Sequence, residues 1–404
     1  MTLGKLAFAW NELKGKRSDI ETLKPFQHEV VENIHAFQSS HPQYTETPLV
    51  SLKKLAKYIN VHSIFVKDES KRFGLNAFKV LGGIYVVGRY IAEFLEKDFS
   101  ELTIEELTSD EFKRQTGELT FASATDGNHG RGIAWAAREL GHKAVIYLPK
   151  GAAQERVEAI EREGARAVVT EGNYDESVRL VAKHAKEKGW IVVQDTAWEG
   201  YEEIPHWIMQ GYATLTKEIV EQIGETKPTH VFLQAGVGSY AASIVASMVN
   251  YYGDMAPKFV LAEPHGANCF YLSFKASEDA FKIVEGDLRT IMAGLSCGEP
   301  NPKAWDILKN HIDLSVSCDD QVAALGMRVL ASPLPGDEQI ISGESGAVTT
   351  GLLYTLMTDS AYVAVREKLG LNEQSKVVLI STEGDTDQKH YREVVWGGRH
   401  PYDL

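Results

Sequence analysis

A two-domain α/β protein, each domain a mostly parallel sheet flanked by helices, is the fold this sequence predicts. Three observations lead there. The chain has 404 residues, more than one hydrophobic core usually serves. Between Leu119 and Gln194, and again from 203 to 262, apolar runs of strand length alternate with amphipathic runs of helix length. That alternation gives right-handed βαβ units and a parallel sheet. Finally, two of the strand-length runs end in small, hydroxylated or glycine-rich turns that open helices, at Ser123–Gly130 and Gln234–Ala241.

Taken in order, residues 1–45 are mixed and polar and predict an irregular N-terminal arm. Ser51 to Ile59 predicts a short helix and Ser63 to Lys67 a strand, followed by a polar loop to Lys79. Beyond Lys79, the residues Leu81, Ile84, Tyr85, Gly88, Ile91 and Leu95 recur at helical spacing, so one face of a helix is buried. Residues 98–117 are acidic and predict a surface insertion. Strands are expected over Leu119–Ser123, His142–Leu148, Ala165–Thr170 and Trp190–Gln194, with helices over 128–140, 152–163 and 174–188 between them. A helix over 203–223, strand Thr229–Gln234, helix 240–252 and strand Lys258–Ala262 continue the theme. Residues 265–340 carry no clear period, and strand Lys376–Ile380 closes the series.

Composition narrows the function classes. Hydrophobic residues make up 44 % and charged residues 24 %, ordinary for a globular protein. The net charge is 42 − 56 = −14, which argues against nucleic acid or an anionic membrane as partner. No apolar run approaches a membrane span, and the N-terminus lacks the apolar core of a signal peptide. Three cysteines make no disulfide scaffold, so a cytoplasmic location is expected. Cys269 and Cys297 read as two free thiols or as a redox-sensitive bridge; Cys318 has no evident role. With no H-E-x-x-H and no paired C-x-x-C, no catalytic metal is expected; Asp385–His390 reads as a solvated turn rather than a cation site.

Four stretches carry chemistry. Lys79 heads a buried helix beside Phe78 and Val80, and partial desolvation of an amine lowers its pKa and makes it a nucleophile. Ser123–Gly130 offers backbone N–H groups at a helix N-terminus, a cradle for a carboxylate; an ordinary N-cap is the plainer reading. Gln234–Ala241 follows a strand and precedes a helix, and its glycines let N–H groups surround a phosphate. The same stretch matches a G-x-G-x-x-A dinucleotide fingerprint with Glu263 as ribose ligand, so an NAD-dependent dehydrogenase stands as an alternative. Thr382 lies at the carboxyl end of the last strand, where parallel sheets gather ligands.

A lysine nucleophile, a carboxylate cradle and a phosphate cradle together suggest pyridoxal 5′-phosphate and an amino-acid substrate. On Asn76-Ala-Phe-Lys79, Thr125-Asp-Gly-Asn128-His129 and Gly236-Val-Gly-Ser239, in that order, the whole chain resembles the fold type II pyridoxal-phosphate enzymes, the group of tryptophan synthase β and the serine/threonine dehydratases. Gln194–Pro205 and Met292–Gly298 are similar to the diaminopropionate ammonia-lyase subgroup of that family. The resemblance implies α,β-elimination of D- and L-2,3-diaminopropionate to pyruvate and two ammonia, with a serine/threonine dehydratase as the nearest alternative. It further implies a homodimer, to whose interface the N-terminal arm contributes, and a large cofactor-binding domain over 1–86 and 200–404 with a small substrate-closing domain over 87–199.

Residue by residue, the resemblance makes Lys79 the point of covalent cofactor attachment and Asn128 the partner of the cofactor's 3′-oxygen. Gly236, Val237, Gly238 and Ser239 would bind its phosphate, and Thr382 would face its pyridine nitrogen. A hydroxyl there leaves that nitrogen less protonated and the ring a weaker electron sink, which suits elimination. Thr125, Asp126 and Asp195 would contact the substrate. Dehydratases usually carry a small residue where this chain has Asp126. A β-amino substrate brings a cation that a carboxylate can hold. Asp126 is also placed to act as a second base, on the face that Lys79 cannot reach.

Overall fold

Runs such as His230–Gln234 and Lys376–Ser381 are apolar without alternation, and such runs are buried on both faces in the middle of a parallel sheet. The computed structural model describes residues 5–15, 20–125, 127–152 and 154–402. Its strands in chain order are β1 (Leu6–Trp10), β2 (Leu49–Ser51), β3 (Ser63–Asp68), β4 (Thr120–Ala124), β5 (Lys143–Leu148), β6 (Arg166–Val169), β7 (Ile191–Val192), β8 (His230–Gln234), β9 (Lys258–Pro264), β10 (Ile312–Cys318) and β11 (Lys376–Ser381). The chain forms two units. One takes the described residues of Met1–Gln27, Glu46–Ala77 and Glu218–Leu404, and the other takes His28–Thr45 and Phe78–Lys217. The stretch 87–199, expected as a small domain, falls inside the second.

The first unit holds a seven-stranded sheet in the order β1-β10-β9-β8-β11-β3-β2. Its five inner strands are parallel, and β1 and β2 run antiparallel at the edges. β11, last in the sequence, is therefore central in space, between β8 and β3. One face packs Phe232, Val316 and Leu379 against helices Asp320–Ala331 and Glu344–Thr358. Those helices touch backbone to backbone. A Cβ on Gly351 would sit 1.9 Å from the Val322 carbonyl, so only glycine fits there.

The second unit holds a four-stranded, fully parallel sheet in the order β6-β5-β4-β7, with helices Asn128–Glu139, Gln154–Arg162 and Tyr174–Lys188 between successive strands. The mostly parallel α/β fold expected for each domain is what both sheets display. Helix Val80–Phe94 also belongs here, and its predicted face is buried at Leu81, Ile84, Tyr85, Gly88 and Ile91.

Several expectations need correction. Residues 1–45 do not form an irregular arm: Leu6–Trp10 pairs with β10, and His28–Ser39 is a helix burying Val31, Ile34, Phe37 and Gln38. That face was masked by its polar flanks. The helix expected over 203–223 is two, Glu203–Gly211 and Thr214–Ile223. The break follows Gly211, whose missing side chain lets it approach the Leu81 carbonyl; a Cβ there would lie 2.8 Å away. The illegible 265–340 contains three α-helices, two single-turn 3-10 helices and β10, short pieces split by irregular backbone over 277–292. The 98–117 insertion is exposed in part, yet buries Phe99, Ile104 and Leu107.

Candidate active site

Within the second unit, the backbone around Lys79 is set by glycine contacts. Lys79 immediately precedes helix Val80–Phe94. A Cβ on Gly83 would lie 2.7 Å from the Gly132 carbonyl, and one on Gly132 would lie 3.2 Å from the Lys79 carbonyl carbon. Glycine at both places therefore brings helix Asn128–Glu139 against the start of the lysine's own helix. On the other side Gly82 makes room for Tyr212, whose ring meets Phe78 edge-on at 4.8 Å. The buried Gln38 amide donates to the Leu81 and Gly211 carbonyls at 2.8 and 2.9 Å and ties the two helices together.

Lys79 Nζ donates to Asp195 Oδ2 at 2.8 Å. Burial alone would raise the Asp195 carboxyl, but the Lys79 ammonium holds it well below the usual carboxylate range. Asp195 therefore stays ionised through the neutral range. His129 Nε2 faces the Val193 carbonyl at 3.0 Å, which requires a proton on Nε2. Its Nδ1 then carries a lone pair, 3.9 Å from Asp195, and burial pushes the ring's pKa down, so the histidine is neutral.

Asp195 follows β7 and Thr125 follows β4, and the two strands are neighbours. Their ladder ends at Ala122 and Val192, and the Gln194 side chain extends it. Its Oε1 accepts from the Ala124 N–H at 3.1 Å while its Nε2 donates to the Ala124 carbonyl at 2.9 Å. Tyr201 closes the loop behind Asp195: its hydroxyl accepts from the Gln194 N–H at 2.7 Å and donates to the Val192 carbonyl at 2.9 Å. The Thr125 hydroxyl accepts from the N–H groups of Gly127 and Gly130 at 3.0 and 3.3 Å, shaping the turn before Asn128, the first residue of its helix. Asp126 lies outside the described residues.

The first unit brings together the other expected residues. Gly236 to Ser239 lie between β8 and helix Ser239–Tyr252, whose N-terminus no side chain caps. Gly238 has φ +89°, the left-handed region that favours glycine. Asn301 braces the loop by donating to Ser239 Oγ at 2.9 Å and from its N–H to the Val237 carbonyl at 2.8 Å. Thr382 follows β11, next to β8, and its buried Oγ1 accepts from Gln234 Nε2 at 3.0 Å. Within this unit, successive N–H groups at a helix start and a buried hydroxyl suit the phosphate and ring nitrogen of pyridoxal phosphate; Lys79, in the second unit, is of the type that suits its aldehyde.

Glu263 does not serve a ribose. It is fully buried and accepts from the N–H groups of Phe270 and Tyr271 at 2.9 and 2.6 Å, capping helix Cys269–Ala276. The dinucleotide alternative loses its acidic ligand. Cys269, Cys297 and Cys318 are free thiols. Asp387 caps helix Gln388–Val395 by accepting from the His390 N–H at 2.9 Å. Among the described residues no group of acidic, histidine or cysteine side chains is arranged to hold a metal ion, and no helix is long and apolar enough to cross a membrane.

The family described as pyridoxal-phosphate dependent enzyme matches residues 41–383. The chain belongs to this family. Among its members, the diaminopropionate ammonia-lyase of Escherichia coli strain K12 is 51 % identical over 383 residues, 94 % of each chain. Two crystal structures of the E. coli diaminopropionate ammonia-lyase, one in complex with D-serine and one with an aminoacrylate-PLP azomethine reaction intermediate, match 98 % of each chain at 48 % identity, with TM-scores of 0.91 and 0.89. A tomato threonine deaminase isoform, 19 % identical with a TM-score of 0.73 over 98 % of each chain, shares the fold.

Sequence reasoning passed over Gln38, Gln194, Tyr201 and Gln234 as residues that shape the site. A signal was present for two of them. Gln234 ends an apolar strand and Gln194 follows one by two residues, and a polar side chain in such a position must find partners when buried.

Proposed function

We propose that this chain is a diaminopropionate ammonia-lyase, converting D- and L-2,3-diaminopropionate with water to pyruvate and two ammonia. The observation that carries this reading is the Lys79–Asp195 pair, a lysine amine oriented by an ionised carboxylate, in a chain half identical to a curated enzyme of that name. Lys79 holds pyridoxal phosphate covalently. Asn128 binds its 3′-oxygen, Gly236, Val237, Gly238 and Ser239 its phosphate, and Thr382 its ring nitrogen. When bound, the cofactor draws electron density from the substrate's α-carbon and so makes the α-proton removable.

The remaining steps belong to the protein. Lys79 Nζ would take the α-proton of the L-isomer, and Asp195 would stabilise the resulting ammonium. Asp126 takes the α-proton of the D-isomer from the opposite face. Thr125, Asp126 and Asp195 surround the substrate, whose β-amino group leaves as ammonia. The three-carbon remainder takes up water to give pyruvate and the second ammonia. We further propose a cytoplasmic homodimer in which 1–86 and 200–404 hold the cofactor and 87–199 closes over the substrate.

Absorption spectroscopy and product assay test this together. The purified protein should be yellow, lose that colour on borohydride reduction, and release pyruvate from 2,3-diaminopropionate. Lys79→Ala should lose the lysine-bound colour and at least about 10²–10⁴-fold in turnover, the usual worth of a positioned base. Threonine or serine as the better substrate would make the chain a dehydratase instead.

A further inference from the structure

Thr382 belongs to a short segment that runs from the end of β11 to helix Gln388–Val395. The near end of that segment packs backbone to backbone on the start of helix Glu344–Thr358. The Gly343 N–H donates to the Glu383 carbonyl at 3.0 Å, and the Ser345 N–H donates to Glu383 Oε1 at 3.2 Å. A Cβ on Gly346 would lie 2.9 Å from the Glu383 carbonyl and 3.1 Å from the Thr382 nitrogen, so the two backbones meet at Thr382 itself. A side-chain pair holds the far end. His390 Nδ1 lies 2.5 Å from Glu344 Oε1, and since a carboxylate only accepts, Nδ1 carries the proton and donates. Glu344 is buried and His390 partly so.

These contacts close a circuit: from Thr382 to His390 along the chain, from His390 to Glu344 through side chains, and from Glu344 back to Thr382 through the glycine contacts. We propose that His390 is a positioning residue whose bond to Glu344 closes this circuit and so fixes the Thr382 hydroxyl against the cofactor. This rests on the proposed placement of Thr382 at the cofactor. The same bond makes the hold depend on pH. Hydrogen bonding to Glu344 raises the His390 ring above the ordinary 6.5, against its partial burial. Asp387 adds to the rise, and Arg399, itself paired with Glu393, opposes it. The His400 ring meets that of His390 edge-on at 6.2 Å and is held down by burial. Beyond it, Asp319 and Asp320 at the start of helix Asp320–Ala331 act on His400, and Arg328 of that helix donates to the Val394 carbonyl. A base whose pKa is raised on folding stabilises the native state most when charged. The charged bond is therefore complete below 6.5 and is lost as pH rises through the raised value.

The test is the dissociation constant of pyridoxal phosphate, measured by titrating the full chain freed of cofactor, with its melting temperature read alongside. In His390→Leu the constant should rise about tenfold at about pH 6, within the worth of a hydrogen bond to a charged group, and its ratio to wild type should shrink towards about pH 9. His390→Asn keeps a donor near Nδ1 but no titrating ring. It should recover part of the affinity at low pH. In a Thr382→Val background, His390→Leu should have no further effect on affinity. A lower melting temperature with unchanged affinity in His390→Leu makes the pair merely structural and overturns the inference. So does a tenfold loss that persists in the Thr382→Val background. Should His390→Leu not fold, Glu344→Gln decides, since it keeps an acceptor without the charge: its affinity ratio to wild type should also be largest at low pH, and a flat ratio of one overturns the inference. Unaltered affinity in Thr382→Val removes the placement of Thr382 and the inference with it. In each of those cases bound yellow cofactor leaves the proposed function standing; failure of the wild type to bind cofactor overturns both.

Discussion

At the scale of single residues, the site depends on which protonation state each buried group is forced to keep. Asp195 stays ionised because Lys79 outweighs its burial. Glu263 goes the other way: burial pushes its carboxyl from 4.5 up to about 8, against the pull of the N–H groups of Phe270 and Tyr271. A carboxyl raised on folding binds more protons in the native state, so stability is greatest below the unfolded value. It falls as pH rises from about 4.5 to about 8 and is level above. Urea titrations at several pH values should show that decline in the wild type and lose it in Glu263→Gln. Asp126 carries the sharpest chemical prediction. Asp126→Asn should keep the yellow cofactor yet lose about 10²–10⁴-fold of its activity on D-2,3-diaminopropionate, while the L-isomer, served by Lys79, loses far less. Equal losses on both isomers would assign Asp126 to binding the β-ammonium. The reactive types were legible here, since lysine, aspartate and threonine announce themselves; their partners were not, because Lys79 and Asp195 are far apart in sequence.

At the scale of elements, glycine contacts decide where the reactive groups lie. Gly83 and Gly132 let the helix of Asn128 approach the backbone of Lys79, and Gly82 accommodates Tyr212. The glycine loop between β8 and helix Ser239–Tyr252 separates two kinds of glycine. A Cβ on Gly238 would meet the Phe270 ring at 2.4 Å and add a side chain at positive φ, so Gly238→Ala should destabilise the fold by about 1–3 kcal/mol. Gly236 is the better probe: its Cβ would lie 3.1 Å from the Gly294 carbonyl and Cys297 Sγ, a displacement the loop absorbs by shifting a little. Gly236→Ala should weaken pyridoxal phosphate binding about tenfold, about 1.4 kcal/mol, with melting temperature of the apo-protein nearly unchanged. Titration of apo-protein measures it, and unaltered affinity would place the phosphate elsewhere. The βαβ periods of 119–194 were readable because amphipathic helices alternate with buried strands. Helix Glu344–Thr358 was not, because it is buried along most of its length and shows no polar face.

At the scale of the whole molecule, the chain crosses between its units beside Gln27, Glu46, Ala77 and Glu218. A buried ionic network anchors two of these crossings within the first unit. Arg72 donates to Glu218 Oε1 at 2.7 Å and to Glu69 Oε2 at 2.9 Å, and its Nη2 reaches the Thr47 hydroxyl at 3.0 Å. Such networks cost more to break than to replace, so single removals there should be costly. The proposed homodimer is tested by light scattering: a mass near twice 44.8 kDa is expected at working concentration, and a monomer at every concentration would refute it. Since Leu6–Trp10 is already paired with β10, the N-terminal contribution to a dimer interface would come from a sheet edge and not from a free arm.

The sequence by itself determined the parallel α/β architecture, the helix behind Lys79, the glycine turn before helix Ser239–Tyr252 and the family, because each is written in neighbouring residues: a period, a glycine spacing, a short motif. Tertiary structure alone decided that Glu263 caps a helix, that Asp195 orients Lys79, that β11 is central, and that the buried Gln234 amide ties the end of β8 to β11. Those facts depend on which backbone carbonyls and N–H groups a side chain meets after folding. Partners brought together from distant parts of the chain leave no local pattern, and only packing shows which buried polar group satisfies which.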